Sequence, residues 1–144
     1  MKIMASLMIN RPMEQVFTFV VDMENLPHWA RGVVDAWRTT SGPEGIGTTY
    51  RIAGRFLGRE IASTYELTAY ERPTTFAATG AIGPIPLREV YTFTTTPRGT
   101  QVHVVSEMEP RGVVRLLRPI LSPLLARLIE TDLRRLKRRL EDDA

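Results

Sequence analysis

The sequence contains no cysteine, so disulfides, thiolate metal sites and cysteine nucleophiles are excluded together. Histidine is nearly as scarce, with only His28 and His103, far apart in the chain. Two histidines without a thiol argue against structural zinc, and no spacing of histidines with carboxylates suggests another metal. No glycine-rich loop follows a strand and opens a helix, which removes the phosphate-cradle class. No Gly-x-Ser-x-Gly elbow is present to expose a serine nucleophile. No apolar run approaches the ~20 residues that a bilayer-spanning helix needs. The short apolar stretch Ile3–Ile9 is broken at once by Asn10-Arg11-Pro12 and Glu14, with no small-residue cleavage site, and reads as a buried strand rather than a leader. A cytoplasmic protein without metal or organic cofactor is the expectation.

Charge is not lopsided either. Nineteen Lys+Arg against 16 Asp+Glu leave +3, which aids solubility and does not by itself imply nucleic acid. The cationic run Arg134-Arg135-Leu136-Lys137-Arg138-Arg139 reads as the solvated face of a helix, with Leu133, Leu136 and Leu140 turned inward. Cations near a helix C-terminus also suit its dipole. Neither a nucleic-acid partner nor membrane insertion is expected, and a monomer or weak homodimer is.

What is present is one domain's worth of chain, residues 1–144, with 43% hydrophobic residues. Residues 3–9 form a first strand. Asn10 and Pro12 then predict a helix start, Asn10 as cap and Pro12 supplying a helical φ in the first turn. Val16, Phe17, Val20 and Val21 give that helix one apolar face, and Glu24–Trp29 reads as a second short helical turn. From Val33 onward the texture becomes Thr-, Val-, Tyr- and Phe-rich, broken by glycine and proline. Six strands are predicted there, at 33–40, 47–56, 60–70, 75–82, 87–96 and 100–109. Connections this short require antiparallel neighbours. Leucines at helical spacing run from Leu117 to Leu140, with Pro119 and Pro123 predicting a kink or a late start near Ser122. The fold class is therefore α+β: a curved seven-stranded antiparallel sheet, two short helices after strand one, and a long C-terminal helix.

This order of elements resembles the helix-grip fold of the START-like, or SRPBCC, superfamily. The stretch Ile9-Asn10-Arg11-Pro12-Met13-Glu14-Gln15-Val16-Phe17 is similar to the opening of its bacterial polyketide cyclase/dehydrase-like branch. Asp22-Met23-Glu24-Asn25-Leu26-Pro27-His28-Trp29 is similar to that branch's Asp…Pro-x-Trp segment. Gly45-Ile46-Gly47-Thr48, Arg98-Gly99-Thr100 and Leu136–Glu141 follow in the expected order. The resemblance implies a cavity between sheet and last helix. It carries no fixed catalytic set, because members of the superfamily share the cavity rather than a chemistry.

Strand alternation predicts which side chains face that cavity. Tyr50, Ile52 and Phe56 share one face of their strand, opposite Arg51 and Arg55. Ile61, Ser63, Tyr65, Leu67 and Ala69 share another, and Val102, Val104, Ser106 and Met108 a third. In the strand 87–96 the inward set is Leu87, Glu89, Tyr91 and Phe93. Glu89 is the informative member, because a carboxylate is rarely buried without a partner. It fits a rim position, an ion pair, or an acid/base group with a raised pKa. His103 takes the outward phase, and His28, near the predicted mouth, is a candidate proton carrier.

Two functions follow as expectations. The first is holding a small apolar or aromatic molecule, lipid- or polyketide-like, against Trp29, Tyr50, Ile52, Phe56, Tyr65, Leu67, Phe93, Val104, Ser106, Met108 and Leu125. The second is a polyketide cyclase or dehydratase using Glu89 and Tyr91 for proton transfer, with Tyr65 orienting the substrate.

Overall fold

Seven strands form one antiparallel sheet in the computed structural model, which describes residues 1–142. They are β1 (Lys2–Ile9), β2 (Val33–Arg38), β3 (Thr49–Phe56), β4 (Arg59–Glu71), β5 (Thr75–Ile82), β6 (Ile85–Thr96) and β7 (Gly99–Met108). Strands β2 to β7 make a meander, and β1 closes onto β7, giving the order β1-β7-β6-β5-β4-β3-β2. Strands β3 and β4 meet in a two-residue turn at Leu57 and Gly58, with φ of 52° and 78°. Two successive positive φ values match the right-handed twist of the flanking strands. Gly99 opens β7 at φ 137°, where a Cβ would lie 2.3 Å from the Ile9 carbonyl oxygen. Only glycine lets the last strand start against the end of the first.

Two short helices, α1 (Met13–Val21) and α2 (Leu26–Trp29), follow β1. Asn10 does not cap α1 as expected. The Arg11 N–H donates to the Ile9 carbonyl at 2.8 Å, a tight turn that delays the helix, and Pro12 takes the cap position without a side-chain bond. Asn10 instead donates its backbone N–H to Glu141 Oε2 at 2.7 Å, tying the end of β1 to the end of the last helix. Asp22 accepts the Glu24 N–H at 3.1 Å and starts the turn that leads to α2.

The last helix, α3 (Arg118–Asp142), begins earlier than the prolines suggest. Pro119 sits in the first turn, where N–H groups have no intrahelical partner. Pro123 is tolerated inside the helix at the loss of one bond. Leu121, Leu125, Leu133, Leu136 and Leu140 are buried on one stripe of α3. Strands β2 and β3 are shorter than expected, ending at Arg38 and starting at Thr49. The register of β4 against β5 shifts between Leu67 and Ala69. That bulge reverses the phase, so Tyr70, rather than Ala69 as expected, packs against the core, its ring centroid 5.5 Å from that of Phe17.

Candidate functional site

The concave face of the sheet is filled unevenly. At one end Phe17, from α1, stands edge-on to Phe76 at 5.9 Å and to Phe93 at 5.4 Å. Leu67, Val102 and Leu136 complete that packing with no exposed surface. At the other end no side chain wedges in between α2, α3 and the strands, and a cavity of about 160 Å³ remains. Its walls are mainly apolar: Trp29 from α2, Ile52 and Phe56 from β3, Tyr65 from β4, Val104 from β7, and Leu125 and Ile129 from α3.

Strand β6 brings the polar groups in. Its pairing with β5 is regular from Thr75–Thr92 to Ile82–Ile85, so no bulge disturbs the alternation. Arg88 and Thr94 are exposed, while Leu87, Tyr91 and Phe93 are buried. Glu89 therefore points inward and lines the cavity. It keeps some accessible surface although it lies deep in the molecule, as a side chain facing a cavity does. Burial pushes its carboxyl up from 4.5 to about 7. The Tyr91 hydroxyl, acting as hydrogen-bond donor, pulls it down, and the carboxylate of Asp132 pushes it further up. Asp132 reaches the same cavity from α3, and burial raises its pKa too, although the Arg31 N–H donates to Oδ1 at 3.1 Å and Arg135 and Arg31 favour its charge. Burial and the charge of Glu89 raise the Tyr91 phenol well above its ordinary value.

Tyr65 is a wall residue with a committed hydroxyl. It donates to the Ala81 carbonyl at 2.8 Å, so its proton is not available to orient a ligand. Its pKa is raised, first by burial and then by the charge of Glu89. Ser63 shares that carbonyl at 3.3 Å. Ser106 lies directly across from Glu89 in the β6–β7 pairing, fully buried, and its Oγ has no hydrogen-bond partner among the described residues. The same holds for Trp29 Nε1. Among the described residues no three His, Asp or Glu groups come together.

Of the residues expected to face a ligand, Trp29, Ile52, Phe56, Tyr65, Val104 and Leu125 line the cavity together with Glu89 and Tyr91. Tyr50, Leu67, Phe93, Ser106 and Met108 face inward but lie outside the lining. Tyr50 is at the opposite end of β3 from Phe56, where its hydroxyl donates to the Glu44 carboxylate. Leu67 and Phe93 belong to the packing around α1. Met108 is buried with Ile3, Ile85 and Leu121 under the start of α3. Alternation gives the face of a strand and not the position along it, so these residues share the inward phase without reaching the cavity. The cavity is also smaller than the several hundred Å³ typical of ligand sites, and Phe17 fills the other end of the concave face. His28 is exposed and lines a separate surface groove with Arg135 and Arg138, away from the cavity. Asp132 was missed. Its signal was present: Leu125, Ile129, Asp132 and Leu136 form one helical stripe, with a carboxylate in the middle.

The architecture recurs widely. A Thermus thermophilus protein of known structure superposes with a TM-score of 0.84 at 20% identity, over 100% of this chain and 99% of the other. The Zhui aromatase/cyclase from a Streptomyces superposes at 0.80 with 13% identity, over 98% and 93%. A START superfamily protein from Mycobacterium smegmatis does so at 0.76 with 16% identity, over 99% of each chain. These likenesses establish the fold. No curated protein sequence matches significantly. A family model described as polyketide cyclase / dehydrase and lipid transport matches residues 1–141, and the chain belongs to that family.

Proposed function

We propose that the protein holds a compact, mainly apolar molecule in the cavity between the sheet and α3, with Glu89 and Tyr91 as its polar anchor. The observation that carries this reading is the cavity itself: apolar on most of its wall, with the carboxyls of Glu89 and Asp132 reaching it from the facing elements β6 and α3 and the Tyr91 phenol beside Glu89. A cavity of about 150 Å³ accommodates one benzene-sized ring. The volume here, about 160 Å³, therefore suits one ring enclosed, with the rest of the ligand in the mouth. Among lipid- and polyketide-like molecules that favours a short aromatic or partly cyclised chain over a long acyl tail.

A suitable probe is 2-naphthol, with naphthalene as the hydroxyl-free control. Binding is read from the fluorescence of Trp29 in a Trp37→Phe background. Saturable quenching, stronger for 2-naphthol than for naphthalene and sharply weakened by Ile129→Phe, which fills the space without adding an indole, is the expected result. Quenching that Ile129→Phe leaves intact would place the probe outside the cavity and remove the reading.

A second reading has its own observation. A carboxyl held near pKa 7 is about half ionised at neutral pH, so it can both take and return a proton. That is what dehydration or aldol-type ring closure of a poly-β-carbonyl substrate requires. Similar folds that include two aromatase/cyclase structures, Zhui and the di-domain StfQ, make such substrates the ones to try. The expected outcome is turnover with an apparent pKa near 7 that Glu89→Gln removes. Tight binding without turnover leaves only the first reading.

A further inference from the structure

The first half of α3 and the turn before it carry a face that the fold leaves bare. Val113, Leu116, Leu117, Ile120, Leu124 and Leu128 are 36–79% exposed. Ile120, Leu124 and Leu128 succeed each other every fourth residue, so they form one stripe beside the buried stripe of Leu121 and Leu125. Exposed apolar side chains in a continuous row differ from the scattered ones every protein shows. Four exposed cations, Arg111, Arg115, Arg118 and Arg127, are interleaved with them, and no acidic residue occurs between Glu109 and Glu130. The stripe borders the cavity: Leu128 lines it. Leu57, 82% exposed, sits in the turn directly after Phe56, another lining residue.

We propose that this face docks on an anionic lipid bilayer, with the first half of α3 lying in the interface and the cavity mouth turned toward the lipid. Charge selects the occupant. A second copy would set four arginines against four, and a neutral protein groove would leave them unanswered. An anionic bilayer meets both features at once: the leucines enter the boundary between headgroups and acyl chains, and the arginines reach lipid phosphates. The contact is superficial, since no helix among the described residues is long and apolar enough to cross a membrane. The proposal does not depend on what the cavity holds, and it is tested without a cavity ligand.

The test is co-sedimentation with phosphatidylcholine vesicles prepared with and without phosphatidylglycerol, at low and high salt. The expected result is binding to the anionic vesicles roughly tenfold stronger than to the neutral ones, weakened by salt. Ile120→Glu combined with Leu124→Glu reduces it at least about tenfold. Both positions are exposed, so the melting temperature of this variant stays near that of the parent. Arg118→Ala with Arg127→Ala removes the preference for phosphatidylglycerol. Three results would each overturn the proposal: no binding to either vesicle, binding indifferent to the glutamates, or a concentration-dependent dimer that the glutamates dissolve.

Discussion

The two ends of the concave face use aromatic side chains in different ways. Around α1, Phe17, Tyr70, Phe76 and Phe93 meet ring against ring at 5.4–6.0 Å and exclude all space. Around α2, Trp29, Phe56 and Tyr65 line a space and leave it open. Tyr91 stands at the boundary, its ring stacked on Phe76 at 4.7 Å and its hydroxyl beside Glu89. The difference follows from the polar groups. Packing a ring onto Glu89 and Asp132 would strip two carboxyls of their remaining hydration, and a buried unpaired carboxylate costs far more than an unfilled ring site. The carboxyls keep the cavity open, and the apolar end supplies the stability to do so.

The largest expected effect tests this division directly. Phe17→Ala removes the wedge that three other rings contact, and a deletion of this kind costs about 3–5 kcal/mol. Phe56→Ala costs less than half as much, because its ring is only half-buried, lying on Gly83 with the cavity beside it. Urea unfolding of both variants measures the ratio. Equal losses would show that the two ends are packed alike.

The next effect depends on pH. The folded protein holds the Glu89 proton up to about pH 7, while an unperturbed glutamate releases it near 4.5. The native state thus binds more protons than the unfolded chain in that window, and stability falls as pH rises through it. At ~1.4 kcal/mol per pKa unit, the full loss above pH 7 is at most about 3.5 kcal/mol. Glu89→Gln, which cannot ionise, is more stable than the parent at pH 8 by up to that amount and equal to it at pH 4. A parent whose advantage or deficit does not change with pH would mean that Glu89 is solvated like a surface residue.

A smaller effect comes from Gly80, in β5. A Cβ there would lie 2.6 Å from the Tyr65 ring. In a filled core such a clash has no outlet. Here the ring can swing into the cavity, so Gly80→Ala should cost about 1–2 kcal/mol, toward the low end for overpacking. It should also weaken binding of an aromatic probe, and the paired measurement shows whether Tyr65 moved into the space.

Much of this was legible in the sequence because it depends on local periodicity. The inward phase of Glu89 needed only Arg88 and Thr94 as references, and the six later strands needed only their turn residues. Position along the strand was not legible. Tyr50 and Phe56 share a face of β3, yet one meets Glu44 and the other the cavity, because the helices above the sheet decide which stretch is covered. The bulge that turned Tyr70 inward has no local signal in Leu67-Thr68-Ala69. Asp132 was readable from its helical stripe, but its meaning needed the opposite wall, where Glu89 sits.

The smallest effect concerns Ser106, which faces Glu89 across the β6–β7 pairing. Its hydroxyl is buried without a partner among the described residues. An unsatisfied buried polar atom carries a desolvation cost of about 1–3 kcal/mol, so deleting it relieves that cost. Ser106→Ala also gives up little packing, since only one oxygen is lost. The two terms nearly cancel, and stability should stay within about 1 kcal/mol of the parent at pH 5, where Glu89 is mostly protonated. At pH 8 the ionised carboxylate of Glu89, paired with Ser106 across the two strands, is an acceptor for the hydroxyl if it turns that way. A loss confined to high pH would thus show that Ser106 donates to Glu89 when it is charged, making the serine part of the anchor. A variant unchanged at both pH values leaves the carboxylate with Tyr91 as its donor, which is what the resting arrangement implies.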